Sequence, residues 1–276
     1  MKEIIRVFPR ETRLTPHDTN VRINCGPGLL IDEADEIHIS VSFTYDMERA
    51  EILAKYWERV APVKIGEPAT GESGGNFIPG MYLKQGAVIT SRGCPNRCWF
   101  CSVWRREGIN VRELPITNGY NVLDDNLLRC SRKHIEGVFE MLKRQKERPE
   151  FTGGLEAAAL QDWHIDKLLE VKPKQMFFAY DTKDDFEPIV SAGKRLKEAG
   201  FTRHKMRCYV LIGHKGDTFD AAHKRLTNTV KLGFFPQAML FRDKKGDTQK
   251  AWRQFQREWS RPAIIYSKVK KNERKV

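Results

Sequence analysis

The sequence lacks the features that would tie it to a membrane or to an oxidising compartment. No stretch of about 18 consecutive apolar residues occurs, which is the length that a helix needs to span a bilayer. The opening residues 1–6 carry no apolar segment of the kind found in signal peptides. A disulfide framework is also missing, because three of the six cysteines crowd into one loop and the others stand alone. We therefore expect a cytoplasmic protein with reduced thiols and no membrane partner.

The crowded cysteines are the most informative feature of the chain. Cys94, Cys98 and Cys101 are spaced CxxxCxxC directly after the apolar run 86–90. Three thiolates on one loop hold three irons of a cubic four-iron four-sulfur cluster, which normally has four cysteine ligands. The fourth iron stays open to a substrate or cofactor, so the spacing indicates chemistry more than simple electron storage.

A structural zinc site is the main alternative for closely spaced cysteines. Such a site takes four ligands, usually from two separated pairs or from a cysteine pair and histidines. The chain has no second CxxC and no HxxxH pair. Cys25, Cys130 and Cys208 are scattered singly, so they support neither zinc nor a second cluster.

The loop resembles that of the radical S-adenosylmethionine (radical SAM) superfamily in its spacing, its strand-then-loop setting and Phe100 before the third cysteine. This resemblance implies that the three cysteines hold a 4Fe-4S cluster whose open iron is chelated by S-adenosylmethionine. It also implies reductive cleavage of that cofactor to a 5′-deoxyadenosyl radical, which abstracts hydrogen from a substrate that the sequence does not identify. An electron donor such as flavodoxin or ferredoxin is implied as a partner.

Strand and helix signals alternate along the chain, which predicts an α/β fold. We divide it into an N-terminal module (1–82), a core (83–249) and a basic C-terminal helix and tail (250–276). In the module, an alternating run at 36–43, a helix from Met47 to Trp57 and a strand at 62–66 predict a Rossmann-like βαβ unit. The glycine-rich stretch 71–75 lacks the spacing of a phosphate-binding loop and is interpreted as a linker.

The core shows six strand-like runs separated by amphipathic helical segments. The runs cover residues 87–90, 120–123, 150–152, 175–180, 206–212 and 237–241. Six β/α units make a partial (β/α)6 TIM-like barrel, which is also the architecture that the resemblance implies. In such barrels the active site collects at the carboxyl ends of the strands.

Polar residues follow several of these strands. Asp124, Asp125 and Asn126 resemble the patch that holds the amino group of S-adenosylmethionine, since an ammonium needs carboxylate or carbonyl acceptors. The same residue types also favour a helix start or a loop. Glu156 follows two glycines, and it is expected either to accept hydrogen bonds from ribose hydroxyls or to pair with a basic residue.

Three further positions are candidates for the cofactor pocket. Asp181 closes a strand and is expected to touch cofactor or substrate, with capping of a helix from about 184 as the alternative. Gly213 resembles the glycine contact to adenine, or else simply begins a turn. Phe100 resembles the ring that lies against adenine, although with Trp99 and Trp104 it also fits a roof that shields the cluster from solvent.

Two other function classes stay open. The module 1–82 resembles a shortened cobalamin-binding domain, although the cobalamin-ligating DxHxxG loop is absent, so a cobalamin-dependent radical methyltransferase is one alternative. A non-catalytic iron–sulfur protein that binds nucleic acid is the other, because the net charge is +12 and residues 250–276 carry nine basic and two acidic residues. The segment 251–262 interleaves cations and rings. We expect it to form a helix that docks its rings on the barrel and ends at Pro262, with nucleic-acid contact as the alternative.

Overall fold

Two sets of parallel strands organise the chain. In the computed structural model, one compact unit comprises residues 1–119 and 244–246, and the other comprises residues 120–243 and 247–276. The structure describes residues 3–28, 33–66, 68–243, 245–246, 248–265 and 267. The α/β class is confirmed. The compact first unit continues to Gly119, and the domain boundary at residue 82 stays a prediction.

The first unit contains a four-stranded parallel sheet. Its strands are β1 (Ile4–Phe8), β2 (Val21–Ile23), β3 (Glu36–Ser40) and β4 (Val63–Gly66), with helix α1 (Met47–Trp57) between β3 and β4. The expected βαβ unit is confirmed, since β3 and β4 pair in parallel with Ile37 opposite Val63. The strand order β2-β1-β3-β4 reverses direction at β1, as doubly wound sheets of the flavodoxin type do.

Strands β1 and β2 were not predicted from the sequence. Arg6 lies in the middle of β1 and interrupts its apolar run, yet it is only 8% exposed. Its guanidinium donates to the carbonyl oxygens of Gly80 (3.0 Å) and Met81 (2.8 Å) and pairs with Asp18. A buried charged residue is tolerated inside this strand because residues distant in sequence supply the hydrogen-bond acceptors that its guanidinium needs.

The rest of the first unit frames the cysteine segment. After the short strand β5 (Ala87–Val88), strand β6 (Ser91–Arg92) pairs antiparallel with β7 (Arg112–Glu113). The four-residue helix α2 (Val103–Arg106) lies between them. Because β6 and β7 pair with each other, the two ends of the segment 93–111 lie side by side, and the segment is the loop that connects these two strands.

The second unit alternates strands and helices without interruption. Its strands are β8 (Asn121–Val122), β9 (Glu150–Phe151), β10 (Gln175–Ala179), β11 (Met206–Ile212) and β12 (Phe235–Leu240), and the helices between them are α3 (Arg132–Lys143), α4 (Asp162–Val171), α5 (Phe186–Glu198) and α6 (Phe219–Lys231). All neighbouring pairs are parallel. Each strand lies beside its predecessor, so within this unit the winding never reverses.

The helices of the second unit bury the faces that their apolar spacing predicts. Ile135, Val138, Phe139 and Leu142 of α3 are each no more than 1% exposed. In α6 the residues that follow Phe219 at helical spacing are buried, whereas Phe219 itself is 43% exposed. The longest helices have 13 residues, and no helix in the described part of the chain is long and apolar enough to cross a bilayer.

Helix α7 (Lys250–Glu258) confirms that the interleaved rings dock inward. Trp252 and Trp259 are buried, and the ring centroid of Trp252 lies 4.3 Å from that of Phe219. The prediction that Pro262 ends this helix is wrong. The helix ends four residues earlier, and Pro262 begins a separate helical turn, a position that suits a residue without an N–H. Residues 268–276 of the expected tail lie outside the described residues.

Candidate functional site

A turn held by its own backbone carries the three cysteines. The Cys98 carbonyl oxygen accepts the N–H of Cys101 at 3.1 Å and the indole N–H of Trp104 at 3.0 Å. The N–H of Cys94 donates to the Gly108 carbonyl at 3.2 Å. These bonds engage main-chain atoms of Cys94, Cys98 and Cys101, so the backbone itself orders the loop.

The donor set suits an iron–sulfur cluster, which cysteine thiolates hold. Cys94, Cys98 and Cys101 are half-buried, and none of the six cysteines, all in described parts of the chain, is in a disulfide. Within the described residues, no three His, Cys, Asp or Glu side chains are arranged to hold a single metal ion. A cluster distributes its ligands over separate irons and does not require that convergence.

Gly93 is needed for the chain to enter this turn. Its φ is +93°, and a Cβ at this position would lie 2.4 Å from the carbonyl oxygen of Asn110. We expect Gly93→Ala to combine backbone strain with a steric clash and to lower the stability of the apoprotein by about 2 kcal/mol in urea unfolding.

Gly108→Ala is the matched control for that substitution. Gly108 has a similar φ of +89°, but a Cβ there would meet nothing within 4 Å. Backbone strain alone is then expected, at about 1 kcal/mol. Equal losses of stability in the two variants would contradict the role given to the close approach between Gly93 and Asn110.

The aromatic residues of the loop do not behave alike. Trp99 is 51% exposed. Phe100 is half-buried and meets Trp99 edge-on, with 5.3 Å between ring centroids. Trp104 anchors the Cys98 carbonyl, and the Arg105 guanidinium lies 4.4 Å above its ring. Contact of Phe100 with adenine stays a prediction.

A buried carboxylate that the sequence analysis did not single out organises the surroundings of the cysteine loop. The Glu107 side chain has no solvent exposure. It accepts hydrogen bonds from three guanidiniums, one hydroxyl and one backbone N–H, which belong to Arg92 (3.3 Å), Arg106 (3.0 Å), Arg112 (3.4 Å), Ser73 (2.9 Å) and Gly74 (3.1 Å). We call this group the Glu107 cluster.

The Glu107 cluster changes the interpretation of the glycine-rich stretch 71–75. Burial by itself raises the pKa of Glu107, but the Gly74 N–H, the Ser73 hydroxyl and the guanidiniums of Arg92 and Arg106 outweigh it and lower the pKa. The stretch is therefore more than a linker, because it supplies two of the donors that keep this carboxylate charged. The signal in the sequence was one acid, Glu107, among several arginines.

The predicted polar residues at the ends of β8 and β9 are brought together. The Asn126 side-chain amide donates to the Glu156 carboxylate at 2.6 Å, and Arg129 binds the same carboxylate through two nitrogens. Glu156 thus pairs with a basic residue, Arg129, which was one of its two expected roles. Asp124 is 1% exposed, Asp125 is half-buried, and the side chain of Asn126 does not cap the following 3-10 helix.

Gly153 permits the close approach of these two strand ends. A Cβ at Gly153 would lie 2.5 Å from the Asp124 carbonyl oxygen and 2.6 Å from the Leu123 carbonyl carbon. The chain's own backbone fills the space beside this glycine, and this contact holds Asp124 beside the end of β9.

Asp181 extends the pairing between β10 and β11. The last backbone bond of this pair runs from Tyr180 N–H to the Tyr209 carbonyl, and the Asp181 carboxylate then accepts the N–H of Leu211 at 2.7 Å. The capping role belongs to Asp185, which accepts the N–H groups of Asp181 and Thr182. Asp181 is therefore not the helix cap.

Gly213 lies beside a second buried aspartate that the sequence analysis did not identify. The Gly213 N–H donates to the Asp217 carboxylate at 2.9 Å, and Arg225 donates to the same oxygen at 2.9 Å. The Asp217 side chain is 1% exposed. Arg225 also donates to the Leu211 carbonyl, so the predicted residues Asp181 and Gly213 share one hydrogen-bonded network at the end of β11.

The pKa of the Asp181 carboxyl is raised above its ordinary value. Burial, reinforced by Asp185, raises its pKa from 3.8 to about 6, against the opposing effects of the Leu211 N–H, Arg225 and His214. A raised pKa in the folded state stabilises the fold below about pH 4, and this contribution is lost as the pH rises through about 6. The carboxyl consequently takes up a proton close to neutral pH.

We expect Asp181→Asn to remove this pH dependence. Relative to the variant, the wild type should lose about 2–3 kcal/mol of unfolding free energy between about pH 4 and pH 7.5, measured by urea unfolding of the apoprotein. Asp166→Asn, at an exposed position of α4, is the control and should leave the profile unchanged. An offset between wild type and Asp181→Asn that is constant with pH would refute the assignment.

The three remaining cysteines lie in different environments. Cys25 is exposed and belongs to the first unit, whereas Cys130 is half-buried and belongs to the second. Cys208 is fully buried, and burial raises the pKa of its thiol well above the ordinary value. No observation brings these three residues together.

No protein-family model matches the chain, and no curated protein matches it either. The functional assignment rests on the residues and their geometry.

Proposed function

We propose that this chain is a radical SAM enzyme that holds a 4Fe-4S cluster on Cys94, Cys98 and Cys101 and reductively cleaves S-adenosylmethionine. The observation that carries the proposal is the cysteine turn itself. Three thiols lie within eight residues, and main-chain bonds to the carbonyl of Cys98 and from the N–H of Cys94 order the loop. Three ligands leave one iron of a cubic cluster open for a cofactor.

The winding of the second unit supports a barrel. A doubly wound sheet reverses its direction, as the sheet of the first unit does, and it binds ligands at the reversal. The strands β8 to β12 instead follow one another in a single direction with a helix after each. We infer that they belong to a partial (β/α)6 barrel of the radical SAM type, whose site lies at the carboxyl ends of the strands.

Each candidate residue then has a role that its contacts allow. Asp124, Asp125 and Asn126 would bind the ammonium group of S-adenosylmethionine. Glu156, which Arg129 orients, would accept hydrogen bonds from its ribose hydroxyls. Phe100 and the backbone at Gly213 would contact adenine, and Asp181 would touch the cofactor or the substrate. When bound, the cluster and S-adenosylmethionine supply the radical that abstracts hydrogen from the substrate.

The proposal is tested by anaerobic reconstitution with iron and sulfide, followed by dithionite and S-adenosylmethionine. We expect about four irons per chain and the release of 5′-deoxyadenosine. A fully loaded cluster that neither binds nor cleaves S-adenosylmethionine would overturn the proposal. It would favour a non-catalytic iron–sulfur protein that binds nucleic acid through its basic C-terminal segment.

A cobalamin-dependent radical methyltransferase is the second candidate. The strand order of the first unit favours it, because a flavodoxin-type sheet offers a ligand crevice where the winding reverses. The absence of a DxHxxG loop argues against it. Retention of the visible spectrum of hydroxocobalamin after desalting would support this candidate, and a colourless protein would exclude tight binding.

A further inference from the structure

The second unit contains a cavity that the proposed radical chemistry does not use. Its volume is about 410 Å³, and it lies between the first residues of β12 and the end of helix α7. Arg207 of β11 also borders it, and this residue is paired with Phe235 in the strand register. The volume is in the range of pockets that bind small molecules.

The cavity lies at the amino end of its strands, and we call it the amino-end cavity. Arg207 is the second residue of β11, and Gly213, which follows the carboxyl end of that strand, is six positions further along the chain. At a rise of about 3.3 Å per residue, the two positions are about 20 Å apart. The amino-end cavity is therefore separate from the carboxyl-end residues to which the proposed function assigns S-adenosylmethionine.

The side chain of Gln256 joins the two walls of the cavity. Within the described residues β12 is the edge strand of its sheet, so its outer side presents backbone groups that no further strand pairs. The Gln256 amide donates to the Ala238 carbonyl at 2.9 Å and pairs one of these groups. Trp259, which also borders the cavity, is fully buried. The walls are thus fixed, because a hydrogen bond and a buried ring hold α7 and its end against the strand.

The amino-end cavity is basic. Arg207 and Arg257 both border it, and none of its bordering residues in the described part of the chain is acidic. Arg257 is exposed and forms no ion pair with another described residue. The Arg207 guanidinium lies 4.5 Å from the centroid of the Phe235 ring. This stacking orders the side chain, so less entropy is lost when the guanidinium binds an anion.

A phosphate monoester suits this arrangement better than a carboxylate does. A carboxylate has two oxygens and one negative charge, which a single guanidinium fork satisfies. A phosphate monoester has three terminal oxygens and close to two negative charges at neutral pH, so it matches two guanidiniums that border one cavity.

The rest of the lining suits an organic group attached to that phosphate. Phe235 provides an aromatic ring, and Pro236 and Ala238 provide apolar contacts. Gln237 and Gln256 provide carboxamides, each of which has both donors and an acceptor. A planar group with hydrogen-bonding atoms at its edge uses both kinds of contact.

We infer that the amino-end cavity binds a small phosphate monoester with a planar, hydrogen-bonding organic group, of the class of the nucleoside monophosphates. Arg207 and Arg257 bind the phosphate, and the carboxamides of Gln237 and Gln256 bind the edge of the planar group. The inference does not depend on the proposed radical chemistry, because it concerns binding alone and involves no covalent or redox step.

Calorimetric titration of the full chain with uridine 5′-monophosphate tests the inference. A pyrimidine nucleotide is chosen because the proposed function assigns adenine to the carboxyl ends of the strands. Arg257→Gln should weaken binding at least about tenfold, since a hydrogen bond between charged groups is lost. Arg207→Lys should also weaken it, because lysine keeps the charge but lacks the planar fork. Absence of binding by the wild type at about 1 mM nucleotide would overturn the inference.

Arg253→Gln is the matched control for Arg257→Gln. Arg253 is likewise an exposed arginine of α7, but it does not border the cavity, so its variant should bind the nucleotide as the wild type does. Circular dichroism should show that both variants fold, since both side chains are exposed. Equal losses of affinity in the two variants would indicate general attraction to a basic helix and would overturn the inference.

Uridine and inorganic phosphate test the two halves of the site. Each carries only one half of the nucleotide, so each should bind at least about tenfold more weakly than uridine 5′-monophosphate. Uridine that binds as tightly as the nucleotide would refute the role of the arginines. Inorganic phosphate that binds as tightly would refute the role of the ring and the carboxamides.

Two competitors distinguish this site from the alternatives. S-adenosylmethionine should leave the affinity for uridine 5′-monophosphate unchanged, and displacement would place the nucleotide at the carboxyl ends and overturn the inference. An oligouridylate with a 5′-hydroxyl carries no phosphate monoester and should not displace the nucleotide. If the oligouridylate binds and uridine 5′-monophosphate does not, the arginines serve nucleic acid and the inference is wrong.

Discussion

Cys98→Ala is expected to abolish both iron binding and cleavage of S-adenosylmethionine. The carbonyl of Cys98, and not its thiol, receives the bonds from Cys101 and Trp104 that order the turn. Alanine therefore keeps the loop and removes only the sulfur. Two thiolates then remain where a cluster needs at least three, so iron and 5′-deoxyadenosine should both fall to the background of a sample without protein.

Two controls make that result specific. Cys25→Ala removes an exposed cysteine outside the loop and should retain full iron content and product formation. Circular dichroism and urea unfolding of the apoprotein should show that Cys98→Ala folds like the wild type. Wild-type levels of iron in Cys98→Ala would contradict the assignment of this residue as a ligand.

Glu107→Gln should produce the largest loss of stability among the substitutions considered. The neutral amide leaves Arg92 and Arg106, whose side chains are 16% and 9% exposed, without the buried charge that compensates them. Removal of one partner from a buried ion pair typically costs 3–5 kcal/mol. Because Arg112 is half exposed and recovers water, we expect about 3 kcal/mol, measured by urea unfolding of the apoprotein.

Glu140→Gln provides the matched control for this substitution. Glu140 of α3 pairs with Lys143 on the surface, with its side chain 55% exposed, so its loss should cost less than about 1 kcal/mol. Similar unfolding midpoints for the two variants would contradict a buried, charged Glu107. We also expect Glu107→Gln to hold less iron on reconstitution, since Gly108, next in the chain, binds the N–H of Cys94.

Sequence periodicity predicted much of the secondary structure. Helix α1 begins at Met47 and ends at Trp57 as expected, and strand β11 covers 206–212 as expected. These elements have regular apolar spacing and bury one face, so a local pattern is sufficient. Strand β1 escaped prediction because the contacts that compensate Arg6 come from residues 80–81, more than seventy positions away.

The candidate site was predictable to different degrees. The positions Asp124, Asn126 and Glu156 could be proposed from their places after strands, because carboxyl ends of parallel strands meet at one edge. The contacts of these residues could not be predicted, because whether Glu156 would bind a ligand or a basic side chain depended on where Arg129 would lie. Asp217 was not predicted from the sequence, because an aspartate in a loop is an ordinary turn residue and only the fold shows that this one is buried.

The sequence by itself determined the close spacing of the three cysteines and the alternation of strands and helices. Both depend on residues only a few positions apart, for which spacing determines geometry. The tertiary structure alone decided that Ser73 would reach Glu107 across 34 residues and that Asp181 would bind Leu211 across 30. Burial raises the pKa of both carboxyls, but the donors around Glu107 outweigh burial and lower its pKa, whereas burial prevails at Asp181. Such donors come from distant segments, and only the folded chain brings them together.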